Sequence, residues 1–155
     1  MKKRVKDSIT EQTYLLMSMH INGYGRLFGG ILMQWIDELA GIVARRHCGY
    51  EVTTASIDNL NFKQPAHINE MVVLVGRVTY VGYSSMEVRV DTYVEGLDGM
   101  RSVINRAYVV MVAIDREGNS LEVPGLELGT ESEQAEWESG KKRYTLRKQR
   151  RIEGY

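Results

Sequence analysis

Hydrophobic and polar positions recur along this chain with two different periods. An apolar run over residues 13–19 predicts a first strand. Asn22-Gly23-Tyr24-Gly25 then has the composition of a turn. After Phe28-Gly29-Gly30, apolar residues Ile31, Leu32, Trp35, Ile36, Leu39, Ile42 and Val43 follow at gaps of one, three and four. That stripe predicts an amphipathic helix from Gly29 to Cys48, about 30 Å long at ~1.5 Å per residue. Arg45, Arg46 and His47 suit the negative end of its dipole, and Gly49 supplies the stop.

Beyond Gly49 the period falls to two. Strands are predicted over 52–62, ending near Pro65, and over 71–81, 85–95 and 101–114. In 85–95, Met86, Val88, Val90, Thr92 and Val94 alternate with Glu87, Arg89, Asp91, Tyr93 and Glu95, which implies one buried and one wetter face. Leu97-Asp98-Gly99 and Asp115–Gly118 read as turns. Consecutive strands with short links are expected as antiparallel neighbours. One long helix without a helical partner must lie on the sheet. The fold class is therefore α+β, an antiparallel sheet curled around a single helix. From Thr130 a second helix is expected, opened by a capping box at Thr130-Glu131-Ser132-Glu133 and interrupted at Gly140. The chain divides into a body, 1–128, and a helical tail, 129–155.

The 155 residues, 43% hydrophobic and 26% charged, suit one globular domain. No run approaches the roughly 20 apolar residues of a membrane span. MKKRVKDSIT has no apolar run behind its charges, so no signal peptide is expected. A lone cysteine, Cys48, points to a reducing compartment and a cytoplasmic protein. The formal net charge is zero, which argues against nucleic acid as a partner. The charges are unevenly spread. From Ser139 onward there are seven basic residues and one acid, Glu153. Removing these from the totals of 20 and 20 leaves 13 basic and 19 acidic residues in 1–138, a net of −6. The basic tail suits an anionic ligand or the acidic face of another subunit, unless it is simply a solvated helix end.

No zinc spacing, P-loop, Gly-x-Ser-x-Gly or dinucleotide fingerprint is present. The informative stretch is Asn22 to Glu38. Two glycines open the helix, where unpaired N–H groups can face an oxyanion or a polarised carbonyl. Asp37, two turns in, lies off the apolar stripe beside Met33, Ala40 and Ala44. The small residues there suit close approach by a second subunit, and a carboxylate on that flank can serve as base or nucleophile. Taken singly these features have bland readings: a solvated Asp, a close-packed helix entry, a turn Asn.

Together they form Asn-x-x-Gly-x-x-Phe-Gly-Gly followed by six residues and Asp37, and this pattern resembles the hotdog-fold acyl-CoA thioesterases. The similarity to cytosolic acyl-CoA thioester hydrolases and their bacterial relatives continues through Thr54–Phe62, Ser85-Met86-Glu87-Val88 and Glu138–Tyr144. The resemblance implies a hotdog domain over 1–128, a homodimer with active sites at its interface, and assembly of dimers into a hexamer. It implies hydrolysis of acyl-CoA to fatty acid and CoA, without metal or cofactor. The position matching Asp37 is the general base or nucleophile. Asn22 adds a polar group from the opposite protomer, and the N–H of Gly29 or Gly30 polarises the thioester carbonyl.

Phe28, Gly29, Phe62 and the loop Gly82-Tyr83-Ser84-Ser85 are the expected substrate and CoA contacts, although a sheet-core role for Phe62 is equally open. Relatives often carry Lys or Arg where this chain has Ser84, so another base must meet the CoA phosphates, and the tail is a candidate. Asp58 is expected as a supporting hydrogen-bond partner, and His47 and Cys48 as cap and core, although the bases before Cys48 could lower its pKa. The alternative function is a non-catalytic acyl-CoA sensor. A hydratase ranks lower because no histidine follows Asp37 by five residues.

Overall fold

A computed structural model describes all 155 residues. The elements are β1 (Lys2–Arg4), β2 (Thr10–Leu15), α1 (Gly29–Cys48), β3 (Glu51–Asp58), β4 (Met71–Val81), β5 (Ser85–Glu95), β6 (Arg101–Ile114), β7 (Gly125–Glu127) and α2 (Glu131–Glu153). Short 3-10 turns occupy Val5–Asp7 and Ser18–His20. Five strands form one antiparallel sheet in the order β2-β4-β5-β6-β3. Register shifts at Thr54/Ser56, Val78/Tyr80 and Thr92/Tyr93 add local twist and help it curl.

The helix has the ends its sequence predicts. Gly49 adopts φ 75° and returns its N–H to the Arg45 carbonyl. Leu32, Ile36, Leu39 and Val43 are fully buried against the sheet. At Gly76 of β4 an added Cβ would lie 3.0 Å from Val43 Cγ2, so the glycine is what lets α1 sit this close.

Four expectations are corrected, and one pair of strands is added. The first strand starts and ends earlier, at Thr10 and Leu15, before the 3-10 turn at Ser18–His20. β3 stops at Asp58, where Asn59 turns into the left-handed region with φ 65°. β3 does not neighbour β4; residues 59–70 carry the chain across the sheet, and β3 pairs with β6 as an outer strand. The parallel pair β1–β7, joining the two ends of the body, has too few residues to show a period. Finally, α2 runs unbroken through Gly140, which is buried.

Gly140 is a contact point. A Cβ there would fall 2.7 Å from Tyr80 Cβ and 3.0 Å from Glu87 Oε1. Trp137 and Tyr144 flank it, their rings 4.4 Å and 5.4 Å from that of Tyr80. Thr130 caps α2 by accepting the Glu133 N–H, and Glu133 takes the N–H of Gly129. The polar face of β5 is consequently not the wetter one: Glu87 is 2% exposed and Asp91 fully buried. Each is neutralised by arginine. Glu87 accepts from Arg143 at 2.8 and 2.9 Å, from Arg147 at 3.0 Å and from Thr79 at 2.6 Å. Asp91 accepts from Arg89 and Arg106, and Arg89 also meets Glu136 of α2. Much of the basic tail thus meets the acidic body of its own chain.

Candidate active site

α1 begins without a side-chain cap. The N–H of Phe28 donates to the His20 carbonyl at 2.9 Å, and those of Ile31 and Leu32 turn back to the Phe28 carbonyl. The N–H groups of Gly29 and Gly30 find no acceptor within the chain. Two open donors at the positive end of a 20-residue helix can hold an oxyanion or a polarised carbonyl oxygen. The rings of Phe28 and Phe62 lie against these glycines: a Cβ on Gly29 would meet Phe62 Cζ at 3.5 Å, and one on Gly30 would meet Phe28 Cε2 at 2.9 Å.

Phe62 belongs to the loop after β3 and is 48% exposed, which places it beside the helix start and not in the sheet core. Asn105 Nδ2 donates to the Asn61 carbonyl at 2.9 Å, and Lys63 N–H to the Ile104 carbonyl at 2.9 Å, so the loop is pinned to β6 on both sides of the ring. With Asn22, Gly29 and Pro65, Phe62 lines a groove of about 390 Å³. Asn22 Oδ1 accepts from the N–H groups of Tyr24 and Arg26 at 2.9 and 3.3 Å. Its carboxamide oxygen is committed to the turn, and its NH2 is left to donate.

Asp37 is half-buried and accepts a 2.5 Å hydrogen bond from Thr54 Oγ1 of β3. The outer edge of β3 pairs with nothing, so the carboxylate sits close to the open margin of the sheet. Ala40 and Ala44 are fully buried in the chain's own core, which corrects their expected role as a surface for a second subunit. Met33, 43% exposed, remains on the surface. Asp37 lies seven residues beyond Gly30, about 10 Å along the helix axis. The glycine N–H groups point the other way, out of the helix start. About two turns of helix thus separate the glycine amides from the Asp37 position within one chain.

The remaining predicted residues fall elsewhere. Ser84 and Ser85 line a second groove, of about 620 Å³, with Arg147, Lys148, Arg150 and Arg151 of α2. Gly82 and Tyr83 shape the loop: Gly82 N–H donates to Ser85, and the Tyr83 carbonyl accepts from Val123. Asp58 supports this region by pairing with Arg147 at 3.3 Å and Arg150 at 3.5 Å. His47 Nε2 lies 2.8 Å from the Pro124 carbonyl in the core, where burial holds its pKa below the usual histidine value. Burial also pushes the Cys48 thiol pKa up, against the expected influence of the preceding bases. Thr54 and Glu87 were not legible as site or anchor residues. Each reads as an ordinary polar position in a strand alternation.

A curled antiparallel sheet around one long glycine-led helix, with a carboxylate near the open edge, is the hotdog arrangement. Residues 24–99 match the Thioesterase superfamily. The Bacillus subtilis protein named uncharacterized acyl-CoA thioester hydrolase YkhA is 39% identical over 129 residues, covering 83% of this chain and 75% of that one. An acyl-CoA hydrolase from Staphylococcus aureus, solved with butyryl coenzyme A, coenzyme A and coenzyme A disulfide, superposes with a TM-score of 0.90. It is 32% identical and is matched over 99% of this chain and 94% of its own. An apo-hexameric acyl-CoA thioesterase superposes with a TM-score of 0.89 at 35% identity, over 96% of both chains. The chain belongs to the acyl-CoA thioester hydrolases of the thioesterase superfamily, and is a hydrolase of the hotdog fold.

Proposed function

We propose that the protein hydrolyses acyl-CoA to a free carboxylic acid and CoA at sites shared between two chains. The observation that carries this reading is the pair of open Gly29 and Gly30 amides about 10 Å from Asp37 along one helix. Two half-sites separated in one chain become whole when a second copy meets it along the open edge of β3, bringing its Asp37 towards the first chain's helix start and Asn22. The carbonyl oxygen sits on the glycine amides and the Asn22 NH2 donates to substrate or water. The Asp37 carboxylate takes a proton from water as the water attacks. The C–S bond breaks as the tetrahedral oxyanion collapses, and the proton passes to the CoA thiolate. Alternatively Asp37 attacks the carbonyl carbon itself and expels the CoA thiolate; water then cleaves the resulting anhydride, freeing the acid and the Asp37 carboxylate, and its proton passes to the thiolate. A base, an oxyanion site and water suffice, so no metal or redox cofactor takes part. Dimers gather into a hexamer, the assembly of the apo-hexameric relative. The buried free thiol of Cys48 fits the cytoplasm, and no helix is long and apolar enough to cross a membrane.

The test is thiol release from a panel of acyl-CoAs. Asp37→Ala lowers kcat roughly 10²–10⁴-fold. Mixing inactive Asp37→Ala with inactive Asn22→Ala chains restores activity, because some interfaces then carry both residues. Equal rates for Asp37→Ala and the unmodified protein overturn the assignment. Confirmed subunit exchange without recovery overturns the shared site. Tight CoA binding with no thiol release from any ester makes the protein a sensor.

A further inference from the structure

Asn105 is a buried polar residue that the chemistry above does not use. It lies on the core face of β6, where Ala107, Val109, Met111 and Ala113 follow at every second position. It is fully buried, yet its Oδ1 has no partner, and neither has Thr92 Oγ1 of the residue opposite it on β5. An apolar side chain of similar shape would spare the core that cost. The one bond the Asn105 side chain makes runs from Nδ2 to the Asn61 carbonyl, at 2.9 Å.

That bond is half of a clamp. At the register shift between Thr92 and Tyr93 the pairing of β5 with β6 passes over Ile104. This bulge leaves the Ile104 carbonyl to accept the Lys63 N–H at 2.9 Å. The two bonds flank Phe62. Leu60 packs on the core and Ala66 is buried, but every residue from 61 to 65 is exposed. Residues 61–65 make no other hydrogen bond to the rest of the chain. The place of the Phe62 ring therefore depends on the clamp. The chain has only two phenylalanines, and both lie at the open amides, Phe62 against Gly29 and Phe28 against Gly30. Rings held there keep water away from the amides, whose pull on a carbonyl oxygen weakens in an aqueous surrounding.

We propose that Asn105 is a positioning residue for the hydrolytic reaction. Through the Asn61 carbonyl it holds Phe62 against the start of α1, so that a thioester carbonyl and not bulk water takes up the Gly29 N–H. The buried amide is kept at a cost to the core because the site needs this ring in place. This inference rests on the acyl-CoA hydrolase reading, and a readout without substrate separates the two.

The test begins with Asn105→Leu, which is close to asparagine in shape and cannot donate. With butyryl-CoA its kcat is expected to fall about tenfold with KM little changed. Its urea midpoint is expected to stay level or rise, because an orphaned polar atom leaves the core. Phe62→Ala is expected to lose as much activity, and the double variant no more than Phe62→Ala alone, since Asn105 acts through that ring. Losses that multiply in the double variant overturn the proposal, and so does an unchanged kcat in Asn105→Leu. If the Leu variant does not fold, Asn105→Ser, whose hydroxyl is too short to reach Asn61, takes its place in the same cycle. Fluorine NMR needs no substrate. With 3-fluorophenylalanine in both positions, assigned through Phe62→Leu, the Asn105 variant is expected to shift or broaden the Phe62 signal and leave that of Phe28 in place. A Phe62 signal that does not change, or two signals that move alike, overturns the clamp. If the unmodified protein releases no thiol from any acyl-CoA, the hydrolase reading fails, and the spectrum still decides whether Asn105 holds Phe62.

Discussion

Gly140→Ala sets two opposed effects against each other. Helix propensity alone favours alanine by about 1 kcal/mol at an interior position. Against it stands the seat of α2 on the sheet. The new methyl carbon would lie 2.7 Å from Tyr80 Cβ and 3.0 Å from Glu87 Oε1. Tyr80 Cβ is attached directly to β4 and cannot swing aside. Carbon contacts settle near 3.5–4.0 Å, so α2 must retreat by about 1 Å. Overpacking of this kind typically costs about 1–3 kcal/mol.

The retreat also stretches the bonds from Arg143 and Arg147 to Glu87, now 2.8–3.0 Å, towards the limit of hydrogen bonding. Glu87 is 2% exposed, and fully unpairing such a carboxylate costs about 3–5 kcal/mol, of which a fraction is lost here. The net expectation is destabilisation by about 1–3 kcal/mol, or a Tm lower by roughly 3–10 °C. Urea unfolding at fixed protein concentration measures it, since assembly would otherwise shift the midpoint. A midpoint equal to or above that of the unmodified protein refutes the reasoning, because the contact beneath Gly140 would then cost no more than helix propensity returns.

Thr54→Val keeps the side-chain shape but removes the hydroxyl that holds Asp37; kcat is expected to fall about tenfold with KM nearly unchanged, and an unchanged kcat removes Thr54 from the positioning of the carboxylate. His47 gives a pH dependence of stability. Burial keeps its pKa below 6.5, and its Nδ1 is buried without a partner, so the folded protein binds fewer protons than the unfolded chain below that pH. Stability is therefore complete above about pH 6.5 and declines on acidification, by at most about 1.4 kcal/mol per pH unit from this group. His47→Gln flattens that part of the urea midpoint profile between about pH 7 and 5; an unchanged slope assigns the loss to other groups.

The elements that a local pattern specifies were legible in the sequence. α1 and strands β4, β5 and β6 have the predicted limits, because apolar spacing and terminal turn residues act within a few positions of each other. The glycine-led helix start and the carboxylate two turns later were legible as well, since both are written in one stretch of residues 22–38. What needed the tertiary structure was the identity of distant partners. Alternation in β5 separates its two faces but does not say that arginines of α2 cover Glu87, or that Arg89 and Arg106 neutralise a buried Asp91, on the second. β3 reads as a strand whichever neighbour it takes, and only the fold sets it beside β6 at an open edge. Gly140 reads as a helix breaker until Tyr80 lies beneath it. Likewise, the cations of α2 and the serines of the β4–β5 loop share a groove although more than 60 residues separate them in sequence. Their meeting depends on long-range packing, in which each surface is defined by what covers it, and short-range periodicity contains no record of that choice.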